Sequence, residues 1–143
     1  QKLRNRVSEL GISNVEFLGA LWDDDLAPML SRARFVAIPS IWHENFPYVV
    51  NQSFAFGRPV IGSNRGGITE LVDHGVRGLI YDAQNIDSLA ESIRTLAENP
   101  TLARQMGRTA KEWTDATFVD DVFYDALMNA YERAHYACSN PRG

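Results

Sequence analysis

The sequence has a single cysteine, no long apolar run and no excess of positive charge. Cys138 stands alone among 143 residues, which excludes an intrachain disulfide and is compatible with a reducing compartment. No apolar run has the length of a membrane span, and no signal peptide opens the chain. With a formal net charge of −4, the chain carries no basic stripe for sequence-independent nucleic-acid binding. We therefore expect a cytoplasmic protein without a nucleic-acid partner.

The composition is that of an ordinary soluble domain, with 45% hydrophobic and 22% charged residues. The length suits one domain or part of one. Gln1 falls within a helical pattern, so we expect the chain to be an internal segment of a longer protein.

Short apolar runs alternate with helical patterns along the first part of the chain. Strands are predicted at about 15–18, 35–39, 59–63 and 78–81, with helices at about 24–33 and 47–56. This alternation predicts an α/β fold: a partial doubly wound (Rossmann-like) parallel sheet of about four strands with helices on both faces. The remainder reads as a helical tail.

Proline, glycine and N-capping residues mark the ends of the predicted helices. Pro47 lies at or near the first residue of a helix that ends before Gly57. The Asp23–Asp25 run offers N-caps for the helix after it, a reading favoured roughly five to one over a metal site. Ser88 and Glu91 have the spacing of a capping box.

The sequence predicts a ligand site where two neighbouring strands end. Glu44 follows a buried strand, either as an acceptor for sugar hydroxyls or as an N-cap or dipole partner of the next helix, with even odds. After Pro47, which has no N–H, the amides of Tyr48 and Val49 would face a diphosphate, water or a side chain. Gln52 would bridge ribose hydroxyls or lie on a solvated face.

Further candidates are weaker. Gly66 and Gly67 would let the backbone approach a ligand, or simply form a turn. His43 would act as a base or pack within its loop, and the three histidines lack metal-ligand spacing. Helix N-terminus, hydroxyl acceptor and glycine loop together favour a phosphate-bearing ligand with hydroxyl groups, such as a nucleotide-sugar.

Six sequence pieces in order resemble the C-terminal domain of the retaining GT-B glycosyltransferases, the "glycosyl transferases group 1" family. Each piece alone is weak evidence of the family, but all six occur in the family's order between about Asn14 and Trp113, which is strong evidence. The pieces are Asn14–Gly19, Pro39-Ser40, Glu44–Pro47, Gly57–Ser63, Gly66–Val72 and Gly75–Ile80.

The resemblance implies roles for individual residues. Glu44 corresponds to the first acid of the family's Glu-x7-Glu motif, which binds the donor sugar, and would be the catalytic residue. The amides of Tyr48 and Val49 would contact the diphosphate, and the backbone of Leu21 the nucleobase. The implied donor-binding set is Leu21, Glu44, Asn45, Phe46, Pro47, Tyr48, Val49, Gln52, Gly66 and Gly67.

One position departs from the family pattern. The second acid of the motif, which binds the ribose, falls on Gln52. An amide hydrogen-bonds a diol without charge assistance, so we expect weaker nucleotide binding or an atypical member.

The resemblance implies a retaining transferase that moves a sugar from a nucleotide-sugar to a glycan or lipid-linked acceptor, without metal or other cofactor. A nucleotide-sugar epimerase of GT-B architecture and a non-catalytic nucleotide-sugar-binding module are the alternatives. The family's phosphate-neutralising Arg and Lys and its N-terminal acceptor domain would precede Gln1. Membrane contact would come only through those missing parts, and the chain alone would be inert. Residues 1–116 would form a partial nucleotide-sugar-binding domain, and residues 117–143 a C-terminal helix and tail.

The family's strand order, 3-2-1-4-5-6, has a consequence for this chain. The four predicted strands would be the third to sixth, with the first two absent. We expect 35–39, 59–63 and 78–81 to form the sheet in that order, with 15–18 closing onto 35–39 or lying detached. The open edge predicts marginal stability or aggregation for the isolated chain.

Overall fold

The computed structural model describes residues 1–139, with the backbone alone for Asp23, Ala137, Cys138 and Ser139; the end of the predicted tail, residues 140–143, lies outside the described residues. The helices are α1 Lys2–Glu9, α2 Leu26–Arg32, α3 Tyr48–Ala55, α4 Ile68–Leu71, α5 Ile86–Glu98, α6 Pro100–Thr117 and α7 Asp120–Ser139. The strands are β1 Val36–Ile38, β2 Val60–Ser63 and β3 Gly78–Tyr81. A 3-10 turn at Asp23–Asp25 precedes α2.

The three strands form one parallel sheet in the order β1-β2-β3. Val36 lies opposite Val60, and Val60 lies opposite Gly78. All four residues of β2 are buried, as expected for a central strand that is covered on both faces. The predicted parallel α/β architecture and the order of these three strands are confirmed.

The sheet has a separate hydrophobic cluster on each face. One cluster joins Val60 to Val50 and Phe54 of α3, and to α4. The other joins Ile61 and Leu79 to α5. Side chains of adjacent strand residues point to opposite faces, which explains why Val60 and Ile61 belong to different clusters. Helices therefore lie on both faces, as predicted.

Helix α6 takes part in both clusters. Its residues Ala103 and Met106 belong to the cluster with Ile61, while Ala110 belongs to the cluster with Val60. Gly107 allows this close packing, because a Cβ at this position would meet the carbonyl oxygen of Gly57. Helix α6 therefore closes the core at one end of the sheet.

The predicted strand at 15–18 is wrong, and the sheet has three strands rather than about four among the described residues. Residues 15–18 form no strand, and Val15 and Leu18 are each 47% exposed. The carbonyl oxygen of Phe17 accepts from the Arg4 guanidinium at 3.2 Å, and that guanidinium lies 4.7 Å from the Phe17 ring. A short apolar run becomes a strand only with a partner, and among the described residues this segment pairs with no strand of the sheet.

Two predictions of helix caps also need correction. Asp25 occupies the N-cap position of α2, but its side chain makes no capping hydrogen bond. Helix α5 begins before the expected capping box: Asn85 Oδ1 accepts from the amides of Asp87 and Ser88 at 3.0 and 3.2 Å. Glu91 instead pairs with Arg94. Among the described residues, no helix combines the length and apolar character needed to cross a bilayer.

Candidate functional site

The loops that follow β1 and β2 meet at the carboxyl edge of the sheet. Ile38 lies opposite Gly62 in the parallel register, so the two strands end side by side. Residues 39–47 connect β1 to α3, and residues 64–67 connect β2 to α4. The edge where parallel strands end is the usual ligand-binding edge of an open α/β sheet.

A backbone clamp holds the two loops together. The amide of Gly67 donates to the carbonyl oxygen of Glu44 at 2.6 Å. A Cβ on Gly66 would meet the Glu44 carbonyl oxygen, and a Cβ on Gly67 would meet that of Asn45. Gly66 also has a φ of 50°, in the left-handed region that favours glycine. The glycine pair is therefore required by the approach of the Glu44 loop.

The Glu44 carboxylate is anchored on one side only. Its Oε1 accepts from Ser40 Oγ at 2.9 Å and from Trp42 Nε1 at 2.7 Å. Its Oε2 has no donor among the residues that the structure describes. The side chain is half-buried and does not cap α3, whose N-cap residue is Pro47. Glu44 is therefore not the N-cap of α3, while its roles as a dipole partner or as an acceptor for sugar hydroxyls stay predictions.

Helix α3, which follows the Glu44 loop, begins with free backbone donors. Pro47 is buried at the N-cap position and offers no side-chain cap, while Val50 N donates to Pro47 O at 2.9 Å. The amides of Tyr48 and Val49 have no acceptor among the described residues. These donors and the positive end of the helix dipole favour an anion at this position.

The side chains around this helix start differ in exposure. Tyr48 is 76% exposed and Gln52, one turn further along α3, is also exposed. The ring of Phe46 packs edge-to-face on that of Tyr48, with centroids 5.7 Å apart. Asn45 is exposed, and Val49 is half-buried. The predicted residues from Glu44 to Gln52 thus lie together along one loop and the helix after it.

Leu21 lies in the segment before α2, away in sequence from the Glu44 loop. It lines a separate cavity of about 540 Å³ with Arg4, Phe17 and Leu26. None of the other predicted site residues lines this cavity among the described residues, so the structure gives no geometric support for a role of Leu21 in the site.

Sequence reasoning missed three residues of this edge. Ser40 and Trp42 lie four and two residues before Glu44, and hydrogen-bond donors so close to a carboxylate are a local signal that could have identified them. Arg65 lies next to the glycine pair, and its buried Nε has no hydrogen-bond partner among the described residues. It adds a positive charge to the loop that contacts Glu44.

His43 and His74 lie in different surroundings. His43 is exposed in the β1–α3 loop, whereas His74 Nδ1 accepts from Ile80 N at 2.9 Å. Within the described part of the chain, no three His, Cys, Asp or Glu side chains come together as a group that could hold a metal ion.

At the end of β3, burial raises the pKa of the Tyr81 hydroxyl above its ordinary value.

Comparison with known proteins shows the family of the chain. The model of the family "Glycosyl transferases group 1" matches residues 1–113. A D-inositol 3-phosphate glycosyltransferase of Mycolicibacterium paratuberculosis is 34% identical over 133 residues, covering 92% of this chain and 30% of the relative. An uncharacterized glycosyltransferase of Methanocaldococcus jannaschii is 32% identical over 114 residues, covering 80% of this chain and 32% of that protein.

The fold of the chain is also found in solved structures of other proteins. Sucrose-phosphate synthase from Thermosynechococcus elongatus superposes with a TM-score of 0.81 at 28% identity, covering 95% of this chain and 34% of that protein. HepE of Anabaena, solved in complex with UDP, has a TM-score of 0.81 at 26% identity and covers 92% of this chain and 36% of its own. The fold matches part of the GT-B architecture.

The chain spans about a third of the length of the relatives that it matches. The match to the family model covers most of the chain, from residue 1 to residue 113. The chain therefore belongs to the glycosyl transferases group 1 family.

Proposed function

We propose that this chain forms the donor-nucleotide-binding part of a retaining glycosyltransferase, which moves a sugar from a nucleotide-sugar to a glycan or lipid-linked acceptor. The observation that carries the proposal is the arrangement of Glu44 and α3. One carboxylate oxygen is held by Ser40 and Trp42, the other is free, and the uncapped start of a helix lies directly after the same loop.

Each group at this edge has a proposed task. The Glu44 carboxylate accepts from hydroxyl groups of the donor sugar, and the amides of Tyr48 and Val49 bind the diphosphate. Because charge develops on the diphosphate as the glycosidic bond breaks, donors fixed in place before the reaction stabilise the transition state. Gln52 bridges the ribose hydroxyls, and the backbone of Leu21 contacts the base once the N-terminal segment has docked.

Relatives support the choice of donor. HepE of Anabaena was solved with UDP and with UDP-glucose, and it shares the fold of this chain at 26% identity. A nucleoside diphosphate-sugar is therefore the proposed donor class. Its phosphates are matched by the α3 amides, and its hydroxyls by Glu44.

The proposed domain organisation follows from the same comparison. Residues 1–116 would be part of the nucleotide-sugar-binding domain, and residues 117–143 a C-terminal helix and tail. The relatives are about three times as long as the region they share with this chain, which supports a further, acceptor-binding domain in the intact enzyme.

The test is replacement of Glu44 in the full-length enzyme. Glu44→Ala removes charge-assisted hydrogen bonds to the donor sugar, so transfer should fall about tenfold to a hundredfold. Glu70→Ala is the matched control, because Glu70 is an exposed acid of α4 outside the site. Unchanged turnover of the Glu44 variant would contradict the assignment.

Two further measurements separate the alternatives. With a labelled nucleotide-sugar and no acceptor, release of an epimerised free donor would favour an epimerase. Titration of nucleoside diphosphates separates an enzyme from a non-catalytic module, which need not bind them. The anomeric configuration of the product, read by NMR, tests retention directly.

A further inference from the structure

Four arginine side chains surround a cavity of about 260 Å³ at the sheet edge opposite the proposed donor site. Arg34 and Arg58 stand two residues before β1 and β2, at the amino ends of the strands. Arg32 is the last residue of α2, and Arg104 lies near the start of α6. No acidic side chain lines the cavity among the residues that the structure describes.

Two of these arginines are fixed by backbone carbonyl groups. Arg58 donates from Nε to Leu30 O at 3.0 Å and from Nη2 to Ser31 O at 2.6 Å. Arg34 donates from Nη1 to Ala97 O at 2.6 Å. These bonds hold the guanidinium groups at the ends of α2 and α5 but neutralise no charge.

Much of the donor capacity around the cavity is unused. A guanidinium carries five N–H donors, and Arg34 and Arg58 use only some of theirs. Arg104 donates weakly to Thr101 Oγ1 at 3.3 Å. None of the four arginines forms an ion pair within the described part of the chain. Four positive charges therefore converge without a carboxylate, in a chain whose net charge is −4.

The start of α6 adds an independent source of positive potential. Pro100 and Ala103 of its first turn line the cavity, and Asn99 at the N-cap makes no side-chain cap. The amides of Thr101 and Leu102 have no acceptor among the described residues. The first turn has no acidic residue, whereas α5 begins with a capping Asn85 and an acidic Asp87.

We propose that this cavity, lined by Arg32, Arg34, Arg58 and Arg104, binds a phosphate-bearing ligand. Guanidinium groups recognise phosphate oxygens bidentately, and helix N-termini bind the same group through free amides. The volume of about 260 Å³ is that of about nine water molecules in the liquid, which is room for a phosphate or pyrophosphate group. The site lies at the other edge of the sheet from Glu44, so it is separate from the proposed donor site. The phosphate belongs to a soluble ligand or to a lipid headgroup.

The test uses Arg32→Gln/Arg104→Gln, because both residues are exposed and, unlike Arg34 and Arg58, neither donates to a carbonyl oxygen of α2 or α5 among the described residues. Arg6→Gln/Arg133→Gln is the matched control: it removes the same charge from exposed arginines that do not line the cavity. The full chain is titrated with pyrophosphate by calorimetry, and its arginine Nε–H signals are followed by NMR. Sedimentation with phosphatidylcholine vesicles, with and without phosphatidic acid, tests the lipid source.

We expect the cavity variant to bind pyrophosphate at least about tenfold more weakly than the control, with the Arg34 and Arg58 signals shifting only in the control. A loss confined to the phosphatidic acid vesicles would support the site with a lipid headgroup as its ligand. Equal affinity of the two variants for both probes, or binding of neither probe, would overturn the proposal. A thermal melt of each variant verifies that both are folded, and Arg104→Lys replaces the double variant if it is not.

Discussion

Replacing Gly66 by alanine should destabilise the chain more than replacing Gly75, although both glycines have positive φ. Gly66 has a φ of 50° and Gly75 a φ of 82°, so alanine is strained at either position by about 1–2 kcal/mol. A Cβ at Gly75 would have nothing within 4 Å, whereas at Gly66 it would lie 2.9 Å from Glu44 N and 3.1 Å from His43 C. Comparing Gly66→Ala with Gly75→Ala therefore separates the cost of backbone strain from the cost of disturbing the contact between the loops.

The magnitude follows from that contact. Forcing the Glu44 loop away should cost about 1–3 kcal/mol in overpacking. Losing the bond from Gly67 N to Glu44 O should cost a further 0.5–1.5 kcal/mol, roughly. We therefore expect the free energy of unfolding of Gly66→Ala to lie about 2–4 kcal/mol below that of Gly75→Ala.

Urea-induced unfolding followed by circular dichroism measures this difference, provided that both variants keep the same denaturant slope. Nucleoside diphosphate affinity gives a second readout, because displacement of the loop moves Glu44 and the start of α3 in Gly66→Ala only. If the two variants unfold at the same urea concentration and bind nucleotide equally, the clamp between the loops does not hold Glu44 in place.

Three further outcomes are expected. Gly107→Ala should lower the melting temperature, because the new Cβ would meet the carbonyl oxygen of Gly57. Alanine is favoured over glycine within a helix by about 1 kcal/mol, so a raised melting temperature would contradict this packing. Since burial raises the pKa of Tyr81, the unfolded chain ionises first above about pH 10, and the free energy of unfolding should fall there. In Tyr81→Phe the free energy of unfolding should fall less steeply above this pH, and an equally steep fall in the variant and the unaltered chain would refute the reasoning. Gln52→Glu should tighten nucleotide binding by about 1 kcal/mol through charge assistance, and unchanged affinity in calorimetry would argue against its ribose contact.

The sequence predicted the three strands of the sheet from their apolar runs. All four residues of β2 are buried, whereas Ala37 of the edge strand β1 is exposed. A continuous apolar run such as Val60–Ile61 admits few other interpretations once turn residues bound it. Pro47 and Gly57 set the limits of α3 in the same way, since their backbone preferences act locally. The run at 15–18 has the same local pattern, but a strand also requires a partner, which local sequence does not show.

The candidate site was predictable in part for the same reason. Glu44 and the amides of Tyr48 and Val49 follow one another along the chain, so the position of one helix start placed them together. The contact between Gly66 and Glu44 depends on the register of β1 against β2, which the sequence pattern leaves open. The arginine cavity gathers residues from three separate segments of the chain, and only the folded chain brings them together.

The position of α6 in both hydrophobic clusters has a consequence for synthesis of the protein. The three strands pair in the order in which they leave the ribosome, and each needs only the strand made just before it. The helix that covers both faces comes after all of them. A nascent chain that has emerged only as far as α5 can form its sheet but leaves apolar surface uncovered on both sides. Between the completion of β3 and the emergence of Ala110, the nascent chain exposes apolar surface on both faces of its sheet, and we expect chaperones to bind it most during that interval.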